Sequence, residues 1–265
     1  IGEGVCKNSG KAIFDNIEPS IIYVPASQNN GVKPAGYPFM LDSEGNVEEF
    51  VPDTVNLEKV ILKRKMPLIP RVAAWGYSQI EARIEGDTNI NFKKPKLITE
   101  IKDTMDYTFQ VFRGLCSEPV KYIRYVPPVG LLQLAELRLY QDTALKNEIK
   151  ITPLTDVTYV KKVIDGDILS YIYRKSKGLI EPLIFSLDSL QQIKRLYFIA
   201  RTDDNYVWKG DAYELLYFDG KKGWKSLGVK IATSKQICFD APRNALLWLR
   251  NRTKGREEQV FIYKN

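Results

Sequence analysis

Lys121-Tyr122-Ile123-Arg124-Tyr125-Val126 is followed, past Pro127, Pro128 and Gly130, by Ala135-Glu136-Leu137-Arg138-Leu139-Tyr140. Short apolar-rich runs of this kind, rich in aromatic and β-branched residues and broken by Pro and Gly, are the mark of strands rather than helices. Outward from here the pattern repeats. Ser20–Val24, Tyr37–Leu41, Val47–Val51, Val60–Leu62 and Thr108–Phe112 read as strands in the first half. Leu183–Leu187, Arg195–Ala200, Ala212–Phe218, Lys235–Phe239, Ala245–Leu249 and Gln259–Tyr263 do so in the second. Asn29-Asn30-Gly31 and Ser43-Glu44-Gly45-Asn46 carry the residues that reversals need. Helical periodicity is hard to find. The expectation is an all-β chain of β-sandwiches with little helix.

The order of elements also occurs twice. Asn244–Arg250 and Glu257–Tyr263 repeat the strand, loop and Glu-bearing closing strand of Lys121–Tyr140. Val60–Arg64 and Leu196–Arg201 each stand upstream as a strand ending in a basic residue. The repetition predicts two sandwiches in tandem. The first would cover 1–145, a β-rich segment plus one sandwich, and the second 146–265, with the seam in the polar stretch Gln141–Pro153.

Composition narrows the function classes. The chain has 265 residues, 44% hydrophobic and 27% charged, an ordinary globular balance that suits one large or two modest domains. No run approaches the ~18 apolar residues of a membrane span. No basic segment leads into an apolar stretch at Ile1, so a signal peptide is expected to be already removed or never present. Histidine is absent, which excludes Ser-His-Asp and Cys-His catalysis, His-ligated zinc and a His general base. Cys6, Cys116 and Cys238 are far apart, fit neither a metal knuckle nor a disulfide framework, and are expected as small buried residues. The net charge of +7 lies downstream of Tyr140. It is interleaved with carboxylates there, so a solvated surface is expected rather than a nucleic-acid footprint.

From Val163 a further pattern emerges. Ile164-Asp165-Gly166-Asp167 precedes the aromatic pair Tyr171 and Tyr173. Pro182–Asp188 and Arg201-Thr202-Asp203-Asp204-Asn205 follow, then Gly210–Tyr217 and Gly223–Gly228 with Trp224. This ordered set resembles the discoidin, or coagulation factor 5/8 type C, modules, a galactose-binding-like group that includes the family 32 carbohydrate-binding modules. Leu187-Asp188-Ser189 replaces their usual Asp-Leu-Gly turn. Residues 60–140 resemble a more diverged copy without the "DGD" loop. Residues 1–60 resemble the segment that joins transglutaminase-like domains to such modules in secreted bacterial proteins. The resemblance implies jelly-roll sandwiches and a non-catalytic, ancillary protein that is secreted, periplasmic or on the bacterial cell surface. Its implied partner is a glycan. The alternative is a scaffold packing on a transglutaminase-like or other catalytic domain, with no ligand of its own.

A sugar needs an apolar platform and planar polar groups that grip hydroxyls. Arg201-Thr202-Asp203-Asp204-Asn205-Tyr206-Val207-Trp208 offers both in one loop. Arg201, Asp203 and Asn205 are the candidates for hydroxyl contacts, and Tyr206 or Trp208 for the platform; the other reading has the acidic residues shaping a turn and Trp208 capping a sandwich. Asp165 and Asp167 are candidate ligands for a structural calcium, as the resemblance implies, or the carboxylates of an ordinary Asp-Gly turn. No cofactor is required. Trp224 and Trp248 read as core, while Trp75, in Ala73-Ala74-Trp75-Gly76-Tyr77, is expected to lead into a strand over Gln79–Ile84 and to pack between modules.

Overall fold

The computed structural model describes residues 4–6, 12–14, 17–27, 31–104, 110–255 and 259–263. Strand accounts for 45% and helix for 8%, so the chain is all-β, as its short apolar runs predict. It divides into two units. One is contiguous, Leu68–Asn205; the other is built from both ends of the chain, Ile1–Pro67 with Tyr206–Asn265.

The middle unit is a sandwich of two antiparallel sheets. The first runs in the order Lys96–Glu100, Arg83–Asp87, Val120–Val126, Leu183–Gln191, Ile151–Pro153. The second runs Gln110–Arg113, Arg195–Ile199, Glu136–Tyr140, Glu148–Ile149. Alternation explains which faces meet. Ile123 and Tyr125 turn inward beside Leu183, Phe185 and Leu187, and across from them sit Leu137, Leu139, Leu196 and Phe198. Tyr125 of one sheet stacks on Phe198 of the other, centroids 5.9 Å apart. A register shift between Val120 and Tyr122 lets both Val120 and Ile123 face the core despite their odd spacing. Two glycines of this unit sit at close approaches: a Cβ at Gly114 would lie 2.0 Å from the Ile193 carbonyl oxygen, and one at Gly86 2.7 Å from Val120 Cγ1 and 2.8 Å from Ile98 Cδ1. A side chain at Gly86 would force these two neighbours to shift.

The end-built unit has a four-stranded sheet ordered Trp224–Ile231, Ala212–Phe218, Leu246–Asn251, Phe261–Ile262. Packed with it is the pair Asp53–Leu62 and Ile237–Arg243, in antiparallel register from Leu62↔Ile237 to Asp53↔Arg243. Val60 and Leu62, from the front of the chain, share a core with Tyr213, Leu215, Phe239, Leu247 and Leu249. Smaller pairings precede it. Ile22–Tyr23, shorter than the expected Ser20–Val24 strand, joins Phe39–Leu41 and Val47–Glu49. The reversal at Ser43–Asn46 forms as expected, with Asp42 Oδ1 accepting the amides of Glu44 and Asn46 at 2.9 and 2.8 Å. Asn29, Asn30 and Thr108 lie outside the described residues.

The boundary at 145/146 is corrected by the strand pairing. Val120–Val126 pairs with Leu183–Gln191, and Glu136–Tyr140 pairs with both Glu148–Ile149 and Arg195–Ile199. A cut there would sever both sheets of one sandwich. The polar stretch after Tyr140 is a tight turn: Asp142 accepts the amides of Ala144 and Asn147 at 2.7 and 2.6 Å. The two upstream strands are likewise exchanged relative to the repeat, since Val60 joins Leu247 while Leu196 joins Leu139. Sequence periodicity marks a strand but carries no record of its partner. The 164–228 motif set is accordingly split, with Ile164–Asn205 in the middle unit and Gly210–Gly228 in the other.

Residues 70–77 form a helix, α1 (Pro70–Tyr77), and not the lead into a strand; Pro70 at its start has the fixed φ that suits the first turn. Trp224 and Trp248 are half-buried and pack edge-on, 5.4 Å between centroids. Cys116 and Cys238 are free thiols, half-buried rather than buried; the Cys6 side chain is outside the described residues. No helix among the described residues is long and apolar enough to cross a membrane.

Candidate functional site

Two pieces of secondary structure in the middle unit converge on Arg201. The first is α1. Arg71, Ala74, Trp75 and Ser78 recur at the i, i+3, i+4, i+7 spacing of one helical face, and all four line a pocket of about 480 Å3. Val72 and Gly76, between them, are buried. The helix end is fastened to the core. Ser78 Oγ donates to the Trp75 carbonyl at 2.8 Å, and the buried Gln79 accepts a hydrogen bond from the Tyr125 hydroxyl. Burial pushes the Tyr125 phenol well above its ordinary value, so it stays a donor to Gln79.

The second piece is the two-stranded antiparallel sheet of Leu131–Leu134 with Ile172–Lys175, in the register Leu131↔Lys175, Gln133↔Tyr173. Its alternation sorts the faces. Leu132, Leu134 and Ile172 point into the core, whereas Leu131, Gln133, Tyr171 and Tyr173 line the pocket. Gln133 is buried, and its Nε2 has no hydrogen-bond partner among the described residues.

Arg201 follows the inner strand Arg195–Ile199. Its guanidinium carbon lies 4.1 Å from the ring centroid of Trp75 and 4.1 Å from that of Tyr171. Its Nη2 donates to the Tyr171 hydroxyl at 2.9 Å. A guanidinium held between two π-faces is ordered by cation–π attraction, about 0.5–2 kcal/mol per ring depending on exposure. Its rotamer is thereby restrained.

The other residues expected in this site are elsewhere. Asp203 and Asn205 shape the turn: Asp203 Oδ1 accepts the Asn205 amide at 3.2 Å, and Thr202 Oγ1 accepts the Asp204 amide at 2.9 Å. Tyr206 and Trp208 belong to the end-built unit. There Tyr206 is buried, with Arg64 over its ring at 5.1 Å, and the Lys254 ammonium lies 4.5 Å from the Trp208 centroid. The rings beside Arg201 are instead those of Trp75 and Tyr171. The helical spacing of Arg71, Ala74, Trp75 and Ser78, and the two-residue step from Tyr171 to Tyr173, are the sequence signals that could have found them.

Asp165 and Asp167 are exposed and serve their own turns. Asp165 Oδ1 accepts the Asp167 amide at 2.8 Å, Asp167 Oδ1 accepts the Leu169 amide at 3.0 Å, and Gly166 between them has φ 81°. No group of three or more His, Cys, Asp or Glu side chains able to hold a metal ion occurs among the described residues. Calcium takes six to eight oxygens, and the side-chain donors at this turn fall short of such a set. Asp165 and Gly166 line a smaller concavity, about 360 Å3, with Glu136, Arg138 and Glu148. Arg138 Nε donates to Glu136 Oε1 at 2.8 Å. Loss of hydration raises the Glu136 carboxyl above its usual value even so.

No family model, curated protein or solved structure matches this chain.

Proposed function

We propose that the protein is a non-catalytic carbohydrate-binding protein of the bacterial cell envelope, with its glycan site in the pocket of the middle unit around Arg201. The observation that carries this reading is the clamped guanidinium: a charged planar donor held between Trp75 and Tyr171, beside the buried amide of Gln133. Rigid aromatic surface with a few convergent polar groups is what a sugar's C–H face and hydroxyls call for. The β-sandwich character of the chain suits a galactose-binding-like reading, although the residues after Val163 that carry the resemblance divide between the two units; the envelope setting rests on that resemblance. Among the described residues no Asp or Glu lines the pocket, which suits a site that holds a sugar rather than one that cleaves it with paired carboxylates.

A single site of this kind binds at about millimolar strength, roughly −4 kcal/mol, so function would draw on several sites or an attached partner. The test is titration of the protein with a panel of galactose-, glucose- and uronate-type oligosaccharides, followed by NMR, with Arg201→Ala and Trp75→Ala as controls. Shifts that saturate for the parent protein and vanish in both variants support the reading. Absence of saturable binding to any of them refutes it.

A further inference from the structure

The donors in this pocket outnumber its acceptors, and that imbalance says what kind of sugar it takes. We propose that the ligand is an acidic glycan whose uronate carboxylate is gripped edge-on by Arg201; this rests on the glycan-binding reading of the same pocket.

Three observations carry it. The first is how Arg201 is held. Its guanidinium carbon lies 4.1 Å from the ring centroids of both Trp75 and Tyr171, which restrains the side chain without consuming most of its N–H donors. One of these is used, by Tyr171 Oη at 2.9 Å. A planar fork of coplanar donors matches a carboxylate in bidentate geometry; a sugar hydroxyl offers a single oxygen.

The second is the missing counter-ion. Three of the other four half-buried arginines of the middle unit have carboxylate partners: Arg124 Nη2 lies 2.6 Å from Glu85, Arg138 Nε lies 2.8 Å from Glu136, and Arg174 pairs with Asp156, while Arg195 donates to the Lys194 carbonyl at 2.9 Å. Arg201 is half-buried as well, yet no carboxylate lies within ion-pair distance of it among the described residues, and none lines the pocket. A second guanidinium, that of Arg71, is exposed on the α1 face of the same pocket. A partly desolvated cation without a partner favours an anion that brings one.

The third is Gln133. Its Nε2 is buried without an acceptor. An ionised carboxylate only accepts hydrogen bonds, so it satisfies Arg201, Arg71 and Gln133 Nε2 without requiring acceptors in return. A neutral sugar hydroxyl both donates and accepts, and it leaves the charges of Arg201 and Arg71 without a counter-ion.

The experiment uses the full chain and three matched probes: an oligogalacturonide, the same oligomer as its methyl ester, and a neutral galacto-oligosaccharide of equal length. Calorimetry with NMR mapping reads the affinities and the location. The expected result is at least tenfold tighter binding of the oligogalacturonide than of its ester, weakening with added salt and lost in Arg201→Ala. Arg201→Lys, which keeps the charge and removes the fork, is expected to lose most of that preference. Gln133→Leu reads the third donor, with a several-fold loss expected. Circular dichroism and thermal melts confirm that each variant is folded. Ester or neutral sugar binding the Arg201 pocket as tightly as the acid would overturn the inference while leaving the glycan site in place. No binding of any probe would remove both. Acid binding that survives Arg201→Ala, or polyglutamate bound more tightly than the oligogalacturonide, would also overturn it, the first by moving the site and the second by making the ligand an acidic peptide.

Discussion

Arg201 and Trp75 come from opposite ends of the middle unit's sequence, yet the guanidinium carbon of one lies 4.1 Å from the ring centroid of the other. The contact depends on two anchors. Trp75 is carried by a helix whose Val72 and Gly76 are buried. Arg201 leaves the sheet just after Ile199 and Ala200, which are also buried. Tyr171, just before the strand Ile172–Lys175, brings the second ring to the guanidinium. Three segments with no local sequence relationship thus meet at one side chain.

Tyr171→Phe keeps the ring and removes the acceptor of Arg201 Nη2. The expected cost in stability is about 1 kcal/mol, as for one hydrogen bond to a charged group near the surface. Glycan affinity is expected to fall several-fold as the guanidinium loses its alignment. Denaturant unfolding and sugar titration check the two parts; unchanged affinity would show that the hydroxyl has no positioning role.

Gly86→Ala places a Cβ against Val120 and Ile98 in the core of the first sheet. Overpacking of this kind costs about 1–3 kcal/mol. The midpoint of chemical denaturation is expected to fall accordingly. Unaltered stability would mean that the strands do not approach as described.

Dissection separates the two units. Residues 68–205 contain both sheets of the middle sandwich and are expected to fold cooperatively when expressed alone. Residues 206–265 lack the Asp53–Leu62 strand and the core side chains Val60 and Leu62, so alone they are expected to stay unfolded. Amide dispersion in NMR spectra distinguishes the outcomes, and a folded 206–265 fragment would contradict the end-to-end pairing.

Glu136 gives a pH dependence of definite sign. Burial raises its folded-state pKa above the ordinary value of about 4.3. The native state therefore binds the proton more tightly than the unfolded chain does. This contribution to stability is fully present below the unfolded pKa and is lost as pH rises through the folded one. Glu136→Gln is expected to flatten that slope and to melt higher than the parent at neutral pH. Thermal scans from pH 4 to pH 8 check it; a parallel pair of curves would rule it out.

Strand after strand was legible before any coordinates. Lys121–Val126, Ala135–Tyr140, Leu183–Leu187 and Ala212–Phe218 all fall on observed strands, because a half-buried strand must write its two faces into alternate residues. Arg201 reads from the sequence as a planar donor in a loop of turn residues, and the structure sets it beside Trp75 and Tyr171. Asp203 and Asn205 were drawn into the same expectation by adjacency, although their side chain and amide close the turn on each other. Trp75 and Gln133 escaped because neither lies near Arg201 in sequence.

Residue order alone settled the secondary-structure class and excluded histidine chemistry, since both depend on residue identity and short-range periodicity. Tertiary structure decided which strands are neighbours, and so made one sandwich from the middle and the other unit from both ends. It also decided that Arg201 meets Trp75 and Tyr171 instead of Tyr206 and Trp208. Pairing is chosen by long-range burial and hydrogen bonding between segments, and a period of two is the same whichever partner a strand finds.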